Sequence, residues 1–149
     1  MNEYIPVLAS ATTGLIALAG VWLTQRGNKK VLDQQLIRDE KKYRRDEQKE
    51  VLEMYNRVIK LDGEYMMHND VGGPILKFNT KAYNTHFRPV IYEKYHLLDQ
   101  SMLLIVAEMD ERIKMCTYYG EFSDEDNISL NGSYDSLIKR MKKQIASFL

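Results

Sequence analysis

The sequence predicts an all-α protein with an N-terminal single transmembrane helix, a charged helical stalk and a small cytoplasmic helical bundle. Three observations carry this reading. Residues 4–25 contain no charged side chain. Residues 38–50 carry eleven charges in 13 positions. From residue 51 onward, apolar residues recur at spacings of three and four, the period of a helix with one buried face. The expected parts are a short extracytoplasmic end (1–3), a membrane span (4–25), a juxtamembrane stalk (26–50) and a cytoplasmic helical domain (51–149).

The uncharged run lies between Glu3 and Arg26. As a helix its 22 residues would extend about 33 Å, against a hydrocarbon core of about 30 Å. A lone backbone segment in lipid satisfies its own hydrogen bonds only as a helix. Pro6 falls in the first turn, where a missing N–H costs least. Tyr4 and Trp22 lie near the two ends and, with Arg26, Lys29 and Lys30, are the expected interface anchors. These three bases follow the span and only Glu3 precedes it, which predicts the N-terminus outside and the remainder in the cytoplasm of the cell. Ala17-Leu18-Ala19 resembles a signal-peptide cleavage motif, but the chain lacks the basic start of such a peptide. Ala9, Thr13, Ala17, Gly20 and Thr24 share one stripe of the span. Small residues there would let two helices approach, so the stripe is the candidate association face.

The stalk holds nine Lys or Arg and six Asp or Glu over residues 26–50. Glu40 and Arg44 have the favourable i,i+4 order. No apolar seam continues through 38–50, so a solvated helix is expected rather than a stable coiled coil.

In the domain, Val51, Met54, Val58, Leu61 and Tyr65 form the first stripe, and Val71-Gly72-Gly73-Pro74 breaks the chain. Residues 75–88 lack a clean period and read as a connection. The helix-packing seam is Ile91, Tyr95, Leu98, Met102, Ile105 and Met109, predicted on one helix of roughly 30 residues from Pro89 to Gly120. Ser123 suits a short turn, Asn131-Gly132 reads as a second turn, and Ser133 as the cap of the last helix. That helix carries Lys139, Arg140, Lys142 and Lys143. Residues 108–126 hold seven acids and two bases, so the basic helix is expected to fold back beside them. No strand pair is expected.

Lys plus Arg and Asp plus Glu both total 21, so bulk attraction to nucleic acid is excluded and no nucleic-acid partner is expected. The single Cys116 excludes an internal disulfide and a multi-cysteine zinc site. There is no nucleophile elbow, phosphate loop or dinucleotide fingerprint. Glu93-x-x-His96 has the spacing of one half of a di-metal carboxylate site, and Glu64 with His68 offers an i,i+4 pair, but the second matching element is missing. The expectation is a non-catalytic, single-pass interaction or adaptor protein without catalytic residues, metal or cofactor. Its expected partners are the lipid bilayer, further copies of itself and an unidentified protein. An oligomeric pore is the alternative reading, and a membrane-bound di-metal carboxylate enzyme the third.

Overall fold

A computed structural model describes the backbone of residues 4–148 and the side chains of residues 21, 22 and 24–148. Helix accounts for 82% of it and strand for 3%, which makes the protein all-α. The chain divides into two units, Met1–Arg45 and Asp46–Leu149. The first helix, α1, spans Tyr4–Glu64.

In the first unit every described side chain is exposed, including Trp22, Val31, Leu32, Leu36, Ile37 and Tyr43. Local pairs support the helix. Arg44 donates to Glu40 at 2.7 Å, as the sequence spacing anticipates, and the Arg26 guanidinium lies 4.9 Å from the Trp22 ring centre. Among the described residues no helix is long and apolar enough to cross a membrane. Most of the 4–25 segment lies outside the residues whose side chains are described.

The second unit is built on the C-terminal part of α1, four further α-helices and a minimal strand pair. From α1 it takes Met54, Tyr55 and Val58, all buried, with Leu61 and Tyr65 packed at their edge. The chain then forms β1 (His68–Asn69) and β2 (Lys77–Phe78), antiparallel, with His68 opposite Phe78. This corrects the expectation of no strands. The pair is too short to stand alone. Two asparagines of a distant helix hold its outer edge: Asn127 Oδ1 accepts from the Phe78 N–H at 2.9 Å, and Asn131 Nδ2 donates to the Leu76 carbonyl at 2.7 Å. One helical turn apart, they reach alternate residues of an extended segment, as a neighbouring strand would.

Residues 75–88 are more than a connection. Asn79 caps α2 (Thr80–Ala82), accepting from the Ala82 N–H, and the backbone then widens into a π-helical turn over Tyr83–Phe87 before α3 (Arg88–Glu93). This places Tyr83 and Phe87, both fully buried, at the centre of the core, where Phe87 meets Tyr134 edge-on at 5.5 Å.

The predicted 30-residue helix is interrupted. α3 ends at Glu93, a 3-10 turn covers Tyr95–Leu97, and α4 runs Gln100–Tyr119. Leu98 is extended, and Asp99 caps α4 by accepting from the Met102 N–H at 3.0 Å. A capping Asp offers the backbone more here than an interior Asp would, so the helix restarts. Leu98 stays buried through the break, which is why the apolar spacing continues across it. Gly120 ends α4 with φ 78, a conformation that only glycine adopts without strain.

The last helix, α5, spans Asp124–Ser147. Its cap is Ser123, not Ser133. Ser123 Oγ accepts from the Asp126 N–H and Asp126 answers with a bond from the Ser123 N–H, a complete capping box. Asn131-Gly132 is therefore interior helix rather than a turn, because the Asn131 side chain is engaged by the Leu76 carbonyl, just before β2, and by His68 instead of its own backbone.

Candidate interaction surface

α4 and α5 form an antiparallel hairpin, the most extensive helix contact of the second unit. Met102, Val106, Met109, Ile113 and Cys116 of α4 are buried, as are Leu130, Tyr134, Leu137 and Met141 of α5. Three cross-pairs fix the register. Arg112 meets Asp126 at 2.9 Å, Arg140 donates to Ser101 Oγ at 2.9 Å, and Gln144 donates to Asp99 at 3.3 Å.

This register revises the expected pairing of the basic last helix with residues 108–126. Arg140 is carried to the α4 N-terminus, and Lys142 reaches Asp62 of α1 at 3.2 Å. Glu108, Glu111 and Glu121 consequently have no ion-pair partner among the described residues. Glu108 and Glu111 border a trough of about 470 Å³ between the two helices, walled by Met109, Met115 and Leu130, with Ser129 and Ser133 on the α5 side. A smaller hollow of about 270 Å³ shares Met115, Cys116 and Asp126 with it and adds Tyr119 and Glu121. The short serine side chains account for the hollow. Residues that filled it would have hidden Met115, which is 48% exposed.

The ionisable groups in the trough do not form an acid–base pair. Burial pushes the Cys116 thiol up, and the neighbouring Asp126 carboxylate adds to the shift, which keeps the thiol protonated and a weak nucleophile. Bonds from Ser123 and Arg112 hold Asp126 down at about 2.

Other polar clusters close on themselves. Asp110 of α4 accepts from Tyr83 Oη at 3.2 Å, Arg88 Nε at 2.9 Å and Tyr92 Oη at 2.6 Å. These bonds tie α3 to α4 along an open groove of about 850 Å³. Asp62 accepts from Tyr134 Oη at 2.8 Å as well as from Lys142. His68 lies 2.8 Å from Asn131 Oδ1 through Nδ1 and 2.9 Å from Asp135 Oδ1 through Nε2.

The residues singled out from sequence fall as follows. Ile91, Leu98, Met102 and Met109 are buried, while Tyr95 and Ile105 are half-buried, so the seam is real packing spread over α3, a 3-10 turn and α4 rather than one helix. The residues of the di-metal alternative are not brought together. Glu93 is held by both terminal nitrogens of Arg57, Glu64 lies 3.7 Å from Lys60, and His68 bridges to α5. Among the described residues no group of three or more His, Cys, Asp or Glu is placed to hold a metal ion. Tyr4, Ala9, Thr13, Ala17 and Gly20 lie outside the residues whose side chains are described. Thr24, Trp22, Arg26, Lys29 and Lys30 are exposed. The trough itself was missed. Its signal was the acidic excess of residues 108–126, which local reasoning assigned to the basic last helix. Comparison with known protein families, characterised proteins and solved structures finds no match to this chain.

Proposed function

We propose that the chain is a non-catalytic interaction protein, held at a membrane by residues 4–25 and presenting its helical domain on the cytoplasmic side. The observation that carries this reading is the 22-residue uncharged run followed at once by Arg26, Lys29 and Lys30. A helical backbone from Tyr4 onward is consistent with it. The basic residues that follow would lie against anionic headgroups and favour a cytoplasmic orientation. Small residues along the run favour self-association of the anchor. A tether of this kind raises local concentration, so weak contacts by the domain suffice for recruitment.

Absence of catalysis is supported by how the reactive side chains are used. Asp110, Asp62, Asp99 and His68 each join separate elements through several hydrogen bonds, and the Cys116 thiol is held protonated. These are groups committed to the fold.

The test is fractionation of cells that express the tagged full-length chain or residues 28–149. The full chain should sediment with membranes and resist an alkaline wash, with its C-terminal tag reachable only after the cells are opened. The fragment should fold and remain in the supernatant. A full-length chain in the supernatant, or a fragment that still sediments, would overturn the tether. In-cell crosslinking of the two forms then separates a partner met only by the tethered chain from contacts between copies.

A further inference from the structure

We infer that the trough between α4 and α5 is the docking site for a cationic amphipathic helix of a partner protein. The inference rests on the interaction reading above and names the chemistry of the partner.

The shape comes first. Two antiparallel helices leave a lengthwise groove, and the side-chain rows of a third helix pack into such a groove. Here Glu108, Arg112, Met115 and Tyr119 recur at spacings of four, three and four along α4, so one face of that helix lines the trough and then the smaller hollow beside it. On the opposite wall, Ser129 and Ser133 are one turn apart and too short to fill the space. An extended peptide would gain little, because the wall is helix throughout and offers no free strand edge.

The charge decides the occupant. Glu108, Glu111 and Glu121 are exposed and unpaired among the described residues, and the one base in the trough, Arg112, is already neutralised by Asp126 at 2.9 Å. An anionic lipid surface or a nucleic acid would be repelled. A helix with Lys or Arg flanking an apolar stripe would set its cations on the three carboxylates and its stripe on the exposed Met115 and Tyr119. The exposed Met115 side chain adapts to the shape of the entering side chain.

The probe is a fluorescent peptide of about 14 residues, roughly four turns, with Leu at i, i+3, i+7 and i+10 and Lys beside them. It is titrated against the purified full-length chain in a non-ionic detergent. A scrambled peptide of the same composition and a peptide with Glu in place of Lys serve as controls. Saturable binding of the ordered peptide is expected. The scrambled peptide should bind at least about tenfold more weakly, the Glu peptide should not bind, and added salt should weaken the complex. The pair Glu108→Lys with Glu111→Lys, at exposed positions, should cost about tenfold in affinity while the circular dichroism spectrum is kept. Ser133→Leu should block the trough sterically with every charge intact. Equal binding of the ordered and scrambled peptides, or full affinity in either variant, would overturn the proposal. So would a wild-type chain that is oligomeric and becomes monomeric in Ser133→Leu, since the occupant would then be a second copy. The detergent assay does not depend on where the chain resides in a cell, so a failed tether and a failed docking site give separate results.

Discussion

Single side chains carry much of the cohesion of the second unit. Asn127 is 2% exposed and is the one buried polar side chain among the described residues. It accepts from the Phe78 N–H and donates to the Ser123 carbonyl at 2.8 Å. Asn127→Ala leaves the buried Phe78 N–H without an acceptor, so a loss of about 1–3 kcal/mol is expected, read as a lower urea midpoint at unchanged slope. Burial pushes the Tyr55 phenol up to about 12, and it raises Tyr83 and Tyr134 further in the same direction. A raised folded-state value favours the protonated, folded form. The stabilisation from Tyr55 is therefore complete below about pH 10, the ordinary phenol value, and is lost as pH rises toward 12. Urea midpoints measured from pH 8 to pH 11 should fall above pH 10, and less steeply in Tyr55→Phe. A flat profile in the wild type would show that these phenols ionise without unfolding cost.

Among the elements, α5 departs most from its local sequence. Asn131-Gly132 has the chemistry of a turn, yet it lies mid-helix, because the side chains at 127 and 131 find partners about fifty residues away. Gly132 has no such reason to be glycine. A Cβ there would meet nothing within 4 Å. Gly132→Ala should raise stability by about 0.5–1 kcal/mol through helix propensity alone. Gly120→Ala, at φ 78, should lower it by a similar amount or more, and thermal melts of the pair would separate the two cases. The apolar stripes of α1 and α4 and the glycine stop at 120 were legible because they depend on near neighbours. The break at Leu98 was not, because the buried spacing continues through it and only the Asp99 cap marks the restart. Residues 75–88 show no clean period, and the π-helical placement of Tyr83 and Phe87 goes with their packing against Phe78 and Tyr134 respectively.

At the scale of the whole molecule, zero net charge conceals an uneven distribution. Residues 26–45 hold eight bases and three acids, whereas residues 46–149 hold 13 bases and 17 acids. Composition alone could show the excess of each part but not which groups are neutralised. Only the tertiary packing of α5 against α4 and α1 reveals that Lys142 is occupied by Asp62 and that Glu108, Glu111 and Glu121 are left over. The candidate site was thus legible as charge and illegible as shape. Its hollow comes from two serines whose position opposite α4 is set by the Ser123 cap and the Gly120 stop.

The Asn127–Asn131 grip on the strand pair also governs how the protein ages. An Asn-Gly pair in a mobile loop loses ammonia when the glycine nitrogen attacks the asparagine side chain and closes a five-membered imide. In α5 the helical backbone keeps that nitrogen away, while Leu76 and His68 hold the amide on both sides. Deamidation at Asn131 therefore proceeds only when this part of α5 opens. Deamidated protein that built up on storage would therefore count those openings.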